Sequence, residues 1–304
     1  MRFIKSVPLA ISGLALALAG LGNLLAVYSE WLRAFCGGLA AAILVLFALR
    51  VACDFSGAQA ELKHPVPLSS LPTSTMALML LSGYLQPDWG VGTLLWHGAV
   101  GAHFGIMFVF IIRFVVGFRL ANVFPTWFVA CVGMVTISVT APTMGADTIG
   151  RAVFYAGFPL YFVVLALVAW RLVKVGEFPE PARPTRAIFT APMSLLTVGY
   201  FSSFAGQSRG LVYLMAVIVL VSYLYVSVQM ALHLLRLPFY PTFAAFGFPY
   251  VISATAFRAL AGFFADRGVY VFLPIALISV WIAVGVVGYL LVRYLKFFKS
   301  KLTA

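Results

Sequence analysis

Apolar residues run along this chain in ten long blocks, with approximate limits 8–28, 32–53, 68–85, 90–116, 126–143, 149–173, 190–206, 209–235, 241–264 and 268–294. Each block approaches the ~20 residues that a helix needs to cross the hydrocarbon of a bilayer, so the pattern predicts ten membrane helices. Pro8, Pro72, Pro192 and Pro249 stand near the starts of odd-numbered blocks, at gaps of 64, 120 and 57 residues. The gap of 120 is two steps of about 60, the length of one helical hairpin with its loops. The chain therefore reads as five copies of one hairpin, with a kink in the first helix of nearly every copy. Proline inside a membrane helix frees backbone groups, which is tolerated against protein or beside a water-filled path. That places a pore at the centre of the repeat.

The polar breaks are short, the longest being roughly 54–67 and 174–189, so a single membrane domain over 1–304 accounts for the chain. The second, with Glu177, Pro179, Glu180, Pro181, Arg183, Pro184 and Arg186, is charged and proline-rich and reads as a connector between hairpins three and four. Arg2 and Lys5 precede an apolar stretch containing Ala15-Leu16-Ala17, the outline of a secretory signal. The apolar run continues to Tyr28 and Pro8 opens the proline period, so the segment is expected to stay as helix 1.

Composition agrees: 63% of residues are hydrophobic and 9% charged, with a mean hydropathy of +1.06. The net charge of +12 does not mark a nucleic-acid surface, because the basic residues lie between apolar runs and mostly on one side. With ten crossings, fifteen of them fall on the side of the termini and five, Arg33, Arg151, Arg209, Arg258 and Arg267, on the other. The positive-inside rule then puts both termini in the cytoplasm. Cys36, Cys53 and Cys131 lack metal-ligand spacing and read as packing residues.

All eight acids, Glu30, Asp54, Glu61, Asp88, Asp147, Glu177, Glu180 and Asp266, fall in breaks or at block ends. Cation channels and most proton-coupled pumps place carboxylates in the path, so both classes lose support. The odd blocks contain no Asp, Glu, Lys or His, and their one Arg is Arg258 near the far end of helix 9. A path lined by them is neutral with a basic rim, which suits an anion. Ser12, Ser74 and Ser194, along with Asn23, Thr73, Thr75 and Thr197, are candidates for its lining, against the plainer reading that such hydroxyls bond their own backbone. His97 and His103 on helix 4 are six residues apart, about 240° around the helix, and cannot chelate a metal together. Packing is the plain reading for both, and proton transfer the functional one. Gly98, Gly101 and Gly105 read as a close helix contact. No nucleophile–base pair, metal cluster or cofactor motif marks an enzyme.

At Phe246-Gly247-Phe248-Pro249 the sequence resembles the tellurite-resistance/dicarboxylate transporter family, which includes the bacterial TehA proteins and the slow anion channels of plant guard cells. The resemblance extends through Val7-Pro8-Leu9 and Asn23, His64-Pro65-Val66, Leu71-Pro72-Thr73 and Ala191-Pro192-Met193-Ser194. One departure is Ala130, which follows Pro125-Thr126-Trp127 where the middle copy of the family has proline. Helix 5 is therefore expected to be straighter. The resemblance implies an all-α integral membrane protein of ten helices, as five hairpins around a pseudo-five-fold pore, odd helices inside and even outside, assembled as a homotrimer. It also implies that Phe248 occludes the pore, and Gly247 and Pro249 beside it are the local chemistry that lets a ring project from a bent backbone. The function expected is an anion channel of a bacterial-type cytoplasmic membrane, passing chloride, nitrate or small organic anions without a cofactor. Proton-coupled transport of dicarboxylate, sulfite or tellurite-related oxyanions is the alternative, and a non-conducting receptor belongs to a third class.

Overall fold

The computed structural model describes residues 2–85 and 90–302, and among them every regular element is helical. The elements that matter here are α1 (Ser12–Leu25), α2 (Glu30–Cys53), α3 (Thr73–Ser82), α4 (Gly90–Phe110), α5 (Trp127–Met144), α6 (Asp147–Val175), α7 (Ala191–Ser203), α8 (Arg209–Leu232), α9 (Gly247–Ala265) and α10 (Phe272–Leu302). Seven of these, α2, α4, α5, α6, α8, α9 and α10, belong to helical stretches long and apolar enough to cross a membrane. The α1, α3 and α7 helices are shorter. Asp88, which falls between α3 and α4 in the sequence, lies outside the described residues.

The odd elements touch one another in a closed circuit, α1 on α3, α3 on α5, α5 on α7, α7 on α9 and α9 back on α1. Each even helix packs against its hairpin partner and against the next odd element, α10 closing on α1. Burial follows. In the most apolar stretches of α5 and α9, 72% and 78% is buried, against 22% to 33% in the even helices. The even helices turn Leu49, Leu94, Phe108, Val173, Val221 and Trp281 outward. So much exposed apolar surface would be a liability in water and is the expected boundary with lipid.

The odd elements do not begin as regular α-helix. A 3-10 turn at Leu9–Ile11 precedes α1, a short helix at Pro65–Ser70 precedes α3, and 3-10 segments at Glu180–Thr190 and Pro241–Phe246 precede α7 and α9. Proline is the cause at three of these joints. Pro72, Pro192 and Pro249 lack an N–H and crowd the carbonyl four residues back, so the α ladder cannot run through them. Hydroxyls bond backbone carbonyls around these joints: Ser70 bonds Val66, Thr73 bonds Ser70, Ser74 bonds Leu71, Thr75 bonds Pro72 and Ser194 bonds Thr190, at 2.7–2.9 Å. Pro8 is different. Its backbone is extended (φ −73°, ψ 143°) and it stands before the first turn rather than bending a helix.

The expectation of a straighter helix 5 is corrected. Ala130 lies in regular helix with its N–H on the Thr126 carbonyl at 3.2 Å, but a 3-10 turn at Gly133–Val135 divides α5 three residues later. The turn lies at a close approach to α3, since a Cβ on Gly133 would come 2.9 Å from the Met76 sulfur. The 54–67 break also holds a helix, Phe55–Glu61, anchored by Arg50. That buried guanidinium bonds the Val7 carbonyl at 3.0 Å and pairs with Asp54 and Glu61 at 2.8 Å.

Candidate functional site

The four lead-ins and the start of α5 surround a cavity of about 70 Å³, space for several waters. All five odd elements contribute, and the deepest lining residue of each along the chain is Leu16, Met76, Gly133, Leu195 and Pro249. No lining residue carries a formal charge. The polar part of the wall is five hydroxyls, Ser70, Thr73, Thr126, Thr185 and Thr242. Four of them donate to backbone carbonyls, Ser70 and Thr73 within their own lead-in, Thr185 to Ala182 and Thr242 to Pro181. Thr126 instead bonds Ser69 at 2.6 Å, and because the Ser69 proton goes to the Pro65 carbonyl at 2.6 Å, Thr126 is the donor of that pair.

Phe248 lines this cavity and is 6% exposed. Its ring lies against Gly20 of α1, one turn beyond Leu16: a Cβ on Gly20 would stand 3.5 Å from the ring edge. The ring therefore reaches across from α9 toward the far half of α1, where Leu16, Met76 and Leu195 make the end of the cavity apolar. Gly247 sets this position. A Cβ there would come 2.5 Å from the Ala17 Cβ and 3.0 Å from Leu290, so only glycine lets α9 lie this close to α1 and α10. Phe246 turns away from the cavity, its ring 4.7 Å from that of Phe243.

Pro192 and Pro249 line the cavity, whereas Pro8, Pro72 and Ala130 do not. Ser12, Ser74 and Ser194 also lie off the wall. Ser12 bonds the Leu9 carbonyl and Thr73, Ser74 bonds Leu71, and Ser194 bonds Thr190 and Ser253, so they brace the joints behind it. The 174–189 connector proves to be part of the wall, because Thr185 and Ile188 face the cavity. It is clasped to the α9 lead-in by Tyr240 on Glu180 at 2.6 Å and Thr242 on Pro181 at 2.5 Å. Arg186 bonds Glu177 and holds its carboxyl below the usual carboxylate range. Arg258, 10 residues past Phe248, donates to the Leu24 carbonyl at the end of α1 at 2.6 Å.

One histidine sits just behind the wall. His103 is fully buried, with Nδ1 2.9 Å from the Thr75 hydroxyl, which itself donates to Pro72. The Thr75 oxygen is then an acceptor, so Nδ1 carries the proton and Nε2, which has no partner, is a bare lone pair. Its Cε1 lies 3.5 Å from where a Gly133 Cβ would be. His97 bonds the Thr93 carbonyl on its own helix. Among the described residues no group of three or more His, Cys, Asp or Glu is placed to hold a metal ion.

Residues 5–292 match the family model described as voltage-dependent anion channel. An uncharacterized transporter of Methanocaldococcus jannaschii is 28% identical over 152 residues, an alignment covering 44% of each chain. The chain thus spans under half the length of that curated relative. Because the family match runs through almost the whole sequence and the apolar helices suit a lipid boundary, this multi-pass membrane protein belongs to the voltage-dependent anion channel family.

Proposed function

We propose that the protein is an anion-selective channel, or channel-like transporter, whose pore runs along the axis enclosed by the five odd elements and is closed by Phe248. On this reading the lead-in and helix of each odd element make one crossing. That brings α1, α3 and α7 to the required length, and gives ten spans as five hairpins about a pseudo-five-fold axis. The observation that carries the reading is the cavity: all five odd elements converge on it, its wall holds no charge, and an aromatic ring stands at its apolar end. The N-terminal ends of the odd helices turn their peptide dipoles toward it, which favours an anion without fixing one tightly. Weak coordination suits conduction, since an ion held by many free donors would not leave. Chloride, nitrate and small organic anions are the substrates to test, both termini are taken as cytoplasmic, and the working assembly is a trimer. Flux across vesicles holding the purified protein, measured over a panel of anions and against potassium, tests this. Permeation by potassium as readily as by chloride would overturn it.

His103 supports the alternative of proton-coupled transport of oxyanions such as dicarboxylate or sulfite. Its free Nε2 is one layer behind Met76 and Gly133 of the cavity wall, where a proton would add charge to a neutral path. Under that alternative, an imposed proton gradient drives anion accumulation and His103→Gln abolishes the coupling. Under the channel reading, the anion gradient and voltage alone set the direction of flow.

A further inference from the structure

The two ends of a ring of helices that all run the same way cannot suit an anion equally. Where the lead-ins meet, the positive ends of the helix dipoles converge; where the odd helices finish, their last carbonyls present partial negative charge. A ring of bare carbonyls at that mouth would repel an anion and attract a cation. Three arginines sit on those carbonyls. Arg258 reaches from α9 to Leu24 at the end of α1, 2.6 Å. Arg33 reaches from α2 to Gly83, just past α3, at 3.0 Å, and with Nε to the Asn23 carboxamide oxygen at 3.3 Å. Arg267 folds back on Phe263 near the end of α9, 2.6 Å. The other two odd elements end on neutral donors, Thr143 on Thr140 and Gln207 on Phe204, both at 2.7 Å.

The placement is selective. Arg151 and Arg209, also basic and at this end, lie in the first turns of the outer helices α6 and α8. The acids at this end among the described residues are Glu30, Asp147 and Asp266, and Glu30 is largely exposed and paired with Arg33. We propose that Arg33, Arg258 and Arg267 are specificity-determining residues, which cancel the negative helix ends at this mouth and so let an anion enter where the backbone alone would favour a cation. The inference rests on reading the odd elements as a pore, and goes beyond it by assigning the selectivity of one mouth to three cations, none of them in the cavity lining.

Glutamine keeps a donor for each carbonyl while removing the charge; lysine keeps the charge while losing the planar fork. The triple variants Arg33→Gln/Arg258→Gln/Arg267→Gln and Arg33→Lys/Arg258→Lys/Arg267→Lys are compared in planar bilayers, in whichever of the unmodified or Phe248→Ala protein conducts. In symmetric potassium chloride near 0.01 M, where the screening length is about 30 Å, the glutamine variant is expected to lose roughly threefold or more of the chloride current entering from the arginine end. Current in the opposite sense should change less. The loss should vanish near 1 M, where screening acts within about 3 Å, and the lysine variant should stay near its parent. The chloride-to-potassium permeability ratio from reversal potentials should fall in the glutamine variant alone. An unchanged ratio and rectification in a well-folded glutamine variant overturns the proposal. So does an equal, salt-independent loss in both variants, which would make the arginines structural caps. A parent that passes no anion in either form defeats the pore reading itself, and shows before any arginine is changed.

Discussion

Replacing Phe248 by alanine separates two roles that its burial alone leaves together. If the ring closes the path, Phe248→Ala raises anion flux strongly, because an apolar constriction both narrows the lumen and excludes water. If the ring is only core, its removal costs roughly 3–5 kcal/mol and lowers the yield of folded protein without opening anything. Phe246→Ala is the control, since Phe246 is as buried but packs on Phe243 outside the cavity, and flux should not rise. The neighbouring Gly247 gives a second outcome: Gly247→Ala drives a methyl against the Ala17 Cβ, which cannot rotate away, and against the Leu290 side chain. Thermal unfolding in detergent is expected to report a loss of roughly 1–3 kcal/mol, with altered flux through displacement of Phe248. The Gly-Phe-Pro sequence made this site legible before any coordinates. Of the lining hydroxyls only Thr73 is among the candidates that the sequence offers. Ser12, Ser74 and Ser194 are polar residues near prolines, yet a hydroxyl beside such a joint is needed by the backbone. Thr185 and Thr242 sit in 3-10 segments, where each residue turns about 120° instead of 100°, so helical periodicity misplaces them. A usable signal was present in Thr185 and Thr242, each seven residues before its proline.

Among the elements, the lead-ins distinguish the inner helices from the outer ones, and their irregularity is stabilised by side chains rather than by the α ladder. Arg50 shows how. It joins the end of α2, the Phe55–Glu61 helix and the Val7 carbonyl just before the first turn. Arg50→Ala leaves that carbonyl and two carboxylates without their partner; as Glu61 is 39% exposed and recovers hydration, a loss of roughly 2–3 kcal/mol is expected, below the value for a fully buried pair. Hydrogen exchange should quicken first in the segment around Val7, and uniform exchange across all helices would contradict the role given to Arg50. The α5 break carries the lesson about legibility at this scale. Sequence pattern ties each joint to a proline and so expects α5 to be straighter, whereas a 3-10 turn at Gly133–Val135 interrupts it without one, where Gly133 lies close to Met76. The partner in such a contact is not marked in a single sequence.

For the whole molecule, the hydropathy pattern and basic-residue asymmetry were readable because lipid acts on every residue of an outer helix alike, which is why the exposed faces of α2, α4, α6, α8 and α10 follow the sequence closely. Orientation is the last quantity to test, and the selectivity of the two mouths depends on it. With fifteen basic residues on the side of the termini and five on the other, Ser300 should face the cytoplasm and Asp266 the opposite side. Single cysteines at those positions, in a background with the exposed Cys53 replaced, are exposed to a membrane-impermeant thiol reagent on intact cells. Labelling at position 266 alone is the expected result. Because Arg258 lies on the same side, Arg258→Glu should then reduce anion entry from outside the cell more at low salt than at high, as the field of a rim charge is screened over a Debye length. Labelling at position 300 alone would reverse both the topology and the face of the membrane from which that loss is seen.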